Sequence, residues 1–175
     1  ISDFLWYNTQ AGWVGAWLVS ESGTITWVEY GEYPVSSGWV PVYFGDMDGR
    51  GREDVLLWFN QSGDLVSWRL SSSGLGSIRE YGRIDTSAGW MLTAVSDFDG
   101  DGYEDFLWYN TLSGEVHAWL LNERGFKNSV AVSAISPSTG WRLVTIFDLN
   151  GDQSSDLLWS HPDGTLYAWR VNNAT

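Results

Sequence analysis

The sequence predicts an all-β chain of four-stranded antiparallel sheets repeated about every 51 residues, and three observations predict it. Acidic residues keep a fixed beat, with Asp3, Asp54, Asp105 and Asp156 following one another at steps of 51 residues. Tryptophans keep the same beat. Trp39, Trp90 and Trp141 lead into acid-rich stretches, Trp6, Trp58, Trp108 and Trp159 follow them, and Trp17, Trp68, Trp119 and Trp169 come about ten residues later. No segment of useful length carries apolar residues at helical spacing; short apolar runs alternate instead with clusters of Gly, Asn and Ser. A repeat near 50 residues with four strands and a tryptophan-rich core is the signature of β-propeller blades, whereas a parallel β-helix repeats at shorter intervals.

Each unit opens with an extended stretch such as Trp90–Ser96 or Trp141–Phe147. After the acidic loop comes a run that is apolar on both faces, Phe106-Leu107-Trp108-Tyr109, as suits a strand buried between neighbouring sheets. A turn follows at Asn110–Gly114, echoed at Asn8–Gly12, Asn60–Gly63 and His161–Gly164. A third strand is expected at Val116–Leu121, with counterparts at Val14–Val19, Leu65–Leu70 and Leu166–Val171. A more polar fourth strand near Ile25–Tyr30, Ser77–Gly82 and Val130–Ile135 reads as an outer edge. Ser-Ser-Gly-Trp, Ser-Ala-Gly-Trp or Ser-Thr-Gly-Trp then restarts the cycle. The chain thus reads as one array of about three and a half blades: a partial blade 1–38, blades 39–89 and 90–140, and a partial blade 141–175. A first and a last unit of three strands leave open edges, so further strands are expected from the same protein or from copies of it.

The acidic loop at Asp97-Phe98-Asp99-Gly100-Asp101-Gly102-Tyr103-Glu104-Asp105 places carboxylates at loop positions 1, 3, 5 and 9 and glycines at 4 and 6. A hard cation such as Ca²⁺ takes six to eight oxygens at about 2.3–2.6 Å, and alternating acids in a tight loop can aim at one centre. Gly102 permits the turn that directs the next carbonyl inward. The loops at Asp46–Asp54 and Asp148–Asp156 repeat the pattern with departures. The first has Arg50 at position 5, where a cation cannot ligate a cation. Either Arg50 swings out of a weakened metal site, or its guanidinium sits among Asp46, Asp48 and Asp54 in place of the metal, with Asp48 then pairing with Arg50 or Arg52. In the third, Gln153 replaces the position-6 glycine, which is expected to strain the loop or relax its turn.

These loops, with the Leu-Trp that follows each and with Phe44-Gly45 before the first, resemble the FG-GAP or VCBS-type repeats of calcium-binding β-propellers. That family includes the integrin α-chain propeller, some fungal and bacterial lectins and many secreted bacterial surface proteins. The resemblance implies side-chain ligands at positions 1, 3, 5 and 9 and a backbone carbonyl at position 7. Carried over, these are Asp97, Asp99, Asp101, the Tyr103 carbonyl and Asp105, and then Asp148, Asn150, Asp152, the Ser154 carbonyl and Asp156. The matching positions of the first loop are Asp46, Asp48, Arg52 and Asp54. Two Ca²⁺ sites are expected, with a third weakened by Arg50, and the metal is expected to be structural.

Composition bounds the remaining functions. A net charge of −13 argues against a nucleic-acid partner, which needs a basic face. Ten of the 22 acids lie in the three loops, so much of the acidity belongs to the expected metal sites. No apolar run approaches a membrane span, no signal peptide opens the chain, and the absence of cysteine removes disulfides and thiolate chemistry. His117 and His161 are the only histidines and face no evident nucleophile, so the chain is not expected to be an enzyme. Asn60-Gln61-Ser62 and Asn173-Ala174-Thr175 match the short glycosylation pattern. Trp13 and Trp27 fall outside the tryptophan beat and are the candidates for ligand contact, because an exposed indole stacks on sugar rings. The expected function is an extracellular, calcium-stabilised module for binding or adhesion to a glycan or protein ligand. Alternatives are a structural subunit assembling through open strand edges and an accessory propeller of a polysaccharide-degrading enzyme.

Overall fold

In the computed structural model, which describes residues 3–51 and 54–171, fourteen strands form four antiparallel sheets. Sheet one contains β1 (Phe4–Tyr7), β2 (Trp13–Val19) and β3 (Ile25–Glu32). Sheet two contains β4 (Trp39–Gly45), β5 (Val55–Asn60), β6 (Asp64–Ser71) and β7 (Gly74–Arg83). Sheet three runs through β8 (Trp90–Ser96), β9 (Asp105–Asn110), β10 (Glu115–Asn122) and β11 (Gly125–Ala134). Sheet four holds β12 (Arg142–Phe147), β13 (Asp156–Ser160) and β14 (Leu166–Trp169). Every strand pairs with its sequence neighbours, so each sheet is a simple meander, as in a propeller blade.

Local sequence explains the boundaries. Ser-x-Gly before each leading tryptophan forms a single 3-10 turn, at Val35–Ser37, Thr86–Ala88 and Pro137–Thr139, closed by Gly38, Gly89 and Gly140 at φ 75°, 91° and 83°. Two fourth strands, β7 and β11, begin earlier than their polarity suggests, whereas β3 begins at Ile25 as expected. Ser71 pairs with Gly74, and Asn122 with Gly125, across two-residue hairpins, and a glycine at positive φ is the first residue after each turn. A one-residue bulge falls at Val42, Thr93 and Val144, once per unit on the same beat as the acids.

The chain divides into two compact units, one of Ile1–Asp46 with Arg52–Arg83 and the other of Met47–Gly51 with Ile84–Thr175. Each has its own core, built in the same way. In the first unit, sheet one turns Val14, Ala16 and Tyr30 onto Leu56, Trp58, Val66, Trp68 and Leu70 of sheet two, with Leu5, Tyr7 and Leu18 at the margin. In the second, Leu107, Val116, Ala118 and Leu120 of sheet three meet Leu157 and Trp159 of sheet four. An aliphatic face of one sheet thus receives the tryptophan face of the next. Aromatic edges fill the first core: Tyr7 meets Trp58 at 5.5 Å, and Trp58 meets Trp68 at 5.0 Å between ring centroids.

Candidate metal centre

Each acidic loop leaves the first strand of its unit and returns into the second, and the second and third loops fold around their own carboxylates. Asp97 accepts the Gly100 amide at 2.7 Å through Oδ1 and the Gly102 amide at 2.8 Å through Oδ2. Asp99 Oδ1 accepts the Asp101 amide at 3.2 Å, and Asp101 Oδ1 accepts the Tyr103 amide at 2.9 Å. Asp105 closes the loop, with Oδ2 accepting from the Phe98 amide at 2.9 Å and Oδ1 from the Leu121 amide at 2.7 Å. Asp97, Asp99 and Asp105 each present a carboxylate oxygen within 4.8 Å of the other two. Burial pushes the Asp105 carboxyl up to about 7, and the facing Asp99 and Asp97 add to the rise against the two amides that lower it. Burial likewise raises Asp101.

One residue of this cluster was not foreseen. Lys127, on β11, donates from Nζ to Asp99 Oδ2 at 2.7 Å and lies 3.9 Å from Asp101. The Asp99 side chain it meets is only 2 % exposed. Nothing in the loop's own sequence points to a lysine 22 positions beyond Asp105; only the pairing of β10 with β11 brings it back.

The third loop has the same frame. Asp148 accepts four amides, from Gln153, Gly151, Asp152 and Asn150, and these hold its carboxyl below the usual range, the Gln153 amide most. Asn150 Oδ1 accepts the Asp152 amide at 2.9 Å, and Asp152 Oδ1 accepts the Ser154 amide at 3.0 Å. Asp156 repeats Asp105 residue for residue, accepting from Leu149 at 3.1 Å and Val171 at 2.9 Å. Gln153 has φ 73° and is the one non-glycine at positive φ among the described residues, so the turn keeps its shape under strain.

The first loop departs further than Arg50 alone suggests. Val55, not Asp54, stands opposite Gly45, the place that Asp105 takes opposite Ser96 and Asp156 opposite Phe147. Asp54 is therefore one residue out of register. Its carboxylate accepts Arg69 Nη1 at 3.0 Å on both oxygens, and its backbone carbonyl, not its side chain, receives the Leu70 amide. The physical reason is a third residue between acid and indole in Asp54-Val55-Leu56-Leu57-Trp58, where Asp105-Phe106-Leu107-Trp108 has two. Asp48 pairs with Arg50 at 3.4 Å. Asp46 and Asp54 belong to the first unit, while Asp48 and Arg50 belong to the second. Arg52 lies outside the described residues, as does the pattern at Asn173. Asn60 is buried and turned onto Asp64, its Nδ2 donating to Oδ2 at 3.0 Å.

The loops are also joined to one another within the second unit. The Glu104 amide donates to the Met47 carbonyl at 3.2 Å, and the Ser155 amide to the Asp97 carbonyl at 2.8 Å. A side chain on Gly49 would collide with the Gly102 carbonyl, which is why glycine stands there.

Of the aromatic candidates, Trp27 is exposed and Trp13 half-buried, their ring centroids 5.6 Å apart edge to face. His117 packs against Trp90 at 5.0 Å, and His161 lies between Asp163 and the Thr139 carbonyl.

The donor set at 97–105 and 148–156 is oxygen only, buried in part and pre-oriented by amides, which fits a hard divalent cation and suits neither a thiolate nor an imidazole metal. Repeated meander sheets with such loops define a β-propeller repeat chain. The chain belongs to the FG-GAP-like repeat family, which matches residues 46–108 and 97–159, each match starting at position 1 of a loop. Repeats of this family are typical of extracellular proteins and often bind calcium. No curated protein matches the chain. Its fold is similar to that of a crystal structure of a protein from Lactobacillus plantarum, at 15% identity and a TM-score of 0.51, over 95% of this chain and 52% of that one. The chain therefore spans about half of that protein's length. Among the described residues no helix is long and apolar enough to cross a membrane.

Proposed function

We propose that this chain is a calcium-stabilised β-propeller module of an extracellular protein, acting through binding and not through catalysis. The observation that carries it is the convergence of Asp97, Asp99 and Asp105 within 4.8 Å. Three carboxylates held that close repel one another, and a divalent ion relieves the repulsion. Asp97, Asp99, Asp101, the Tyr103 carbonyl and Asp105 would hold one ion, and Asp148, Asn150, Asp152, the Ser154 carbonyl and Asp156 a second. The ion supplies charge neutralisation; the chain supplies the amide-braced frame. Dissociation constants of roughly 10⁻⁴–10⁻³ M are expected, the class of extracellular modules. Thermal unfolding in chelator and in millimolar CaCl₂ tests this: a rise in Tm with calcium, absent in Asp97→Asn/Asp148→Asn, supports it. An unchanged Tm overturns it.

A second reading, carbohydrate recognition, has one specific observation behind it. Trp27 leaves its ring exposed with Glu29 on the same strand two residues on, an indole beside a polar acceptor. Glycan binding that is lost in Trp27→Ala while folding is kept would support it.

A further inference from the structure

The amide that joins each acidic loop to the one before it belongs to the same peptide unit as the carbonyl at loop position 7. In the third loop that carbonyl is on Ser154, and the N–H of its peptide, on Ser155, donates to the Asp97 carbonyl of the second loop at 2.8 Å. In the second loop the carbonyl is on Tyr103, and the N–H of its peptide, on Glu104, donates to the Met47 carbonyl of the first loop at 3.2 Å. A trans peptide is rigid and planar, so its N–H and C=O point in opposite directions and turn together. With the N–H anchored on the preceding loop, the carbonyl faces away from that loop.

The acceptor of the better bond is itself part of a loop frame. Asp97 stands at position 1 of the second loop, where its side chain holds the Gly100 and Gly102 amides. Its carbonyl is the atom that receives Ser155. Two further contacts stiffen this seam. Ser96 Oγ lies 2.7 Å from Ser155 Oγ, and a Cβ on Gly100 would stand 3.2 Å from Ser154 Oγ, on a residue only 1% exposed. All of these residues belong to the second unit.

We propose that the second and third loops bind calcium with positive cooperativity, carried by the Ser154–Ser155 peptide. The coupling rests on the reading of both loops as calcium sites. With its carbonyl on an ion, this peptide is polarised and its plane is fixed, and its N–H becomes the stronger donor to Asp97. Asp97 is then held in place for the second loop, and less of its ordering is left to the ion that binds there. Linkage makes the effect reciprocal: a loaded second loop raises third-loop affinity by the same factor. Each loop's affinity with its neighbour empty is set by its own ligands, so the coupling shows only when the second ion binds.

CaCl₂ titrations of the full chain followed by amide NMR read the two loops separately, through Gly102 and Tyr103 in the second and Gly151 and Gln153 in the third. Position 5 supplies the means of disabling one loop at a time. Asp101→Arg or Asp152→Arg gives either loop the residue type that the first loop carries as Arg50. The exchange adds as many positive charges as the ion would bring, so long-range charge effects cancel in the comparison. Third-loop affinity is expected to fall about fivefold in Asp101→Arg, and second-loop affinity by the same factor in Asp152→Arg. Ser155→Pro removes the N–H and keeps every side-chain ligand; in that background Asp101→Arg is expected to leave third-loop affinity unchanged. Should Ser155→Pro disturb the turn, Ser96→Ala, which loses only the hydroxyl contact to Ser155, is expected to shrink the factor. Calcium shifts in neither loop overturn the metal reading itself, and the coupling with it. Shifts in both loops, with third-loop affinity indifferent to Asp101→Arg, overturn the coupling alone. A full fivefold loss that persists in both Ser155→Pro and Ser96→Ala overturns the Ser154–Ser155 route.

Discussion

The loops at 97–105 and 148–156 share one frame and differ in what stands inside it. In both, the last acid ties the loop to an amide within it and to an amide at the end of the third strand: Phe98 and Leu121 for Asp105, Leu149 and Val171 for Asp156. Asp3 makes the second of these bonds to the Val19 amide at 2.8 Å. The frame thus ties loop to third strand through backbone amides in sheets one, three and four, and sheet two, where Asp54 turns to Arg69, lacks it. The interior varies: the second loop has three carboxylates and Lys127 against them, while the third has Asn150 for Asp99 and its amide nitrogen on Asp152 at 2.8 Å. Clamping and the proposed ligation are two jobs of one sequence motif.

The comparison is broken most severely at the clamp. Asp105→Ala leaves two buried amides without acceptors and is expected to cost about 2–4 kcal/mol, read from urea unfolding. Asp54→Ala, which removes a partly exposed pair with Arg69, is expected to cost no more than about 1 kcal/mol. Equal losses would show that the register assigned to the first loop is wrong. A smaller effect sharpens the difference in the interiors. Lys127→Met removes a positive charge held 2.7 Å from Asp99 and is expected to raise calcium affinity at the second loop, on the order of tenfold, with the third loop unaffected. Titration calorimetry of Lys127→Met with Asp148→Asn, compared with Asp148→Asn alone, isolates that site; unchanged affinity would mean that Lys127 does not compete. The smallest effect is at the strained turn. Gln153→Gly keeps φ 73° without a Cβ and is expected to stabilise by up to about 1 kcal/mol, whereas a loss would show that the Gln153 side chain contributes more than its strain costs.

The repeat and the strand order were legible because each is local: alternation sets the strands, and Ser-x-Gly-Trp marks where each sheet restarts. What escaped was relative alignment. Asp54 keeps a 51-residue step to Asp105 only because an extra residue before Trp58 is cancelled by a shorter turn, Gln61-Ser62 against Thr111-Leu112-Ser113. The four residues Val55-Leu56-Leu57-Trp58 did carry the signal, had spacing been counted to the tryptophan and not to the acid. Lys127 was hidden for another reason. Its loop contact is made across a strand pairing, and no motif records it.

The bonds that join successive loops have a consequence for how such chains grow. Within the second unit every joint has the same polarity: an amide near the end of one loop reaches a carbonyl near the start of the loop before it. The second loop carries both halves, Glu104 reaching back and Asp97 receiving. Gene duplication in whole repeats therefore delivers a finished joint on each side, whereas a fractional insertion would orphan an amide and a carbonyl together. The seam polices the reading frame of the architecture, and it permits the number of repeats to change while their length does not.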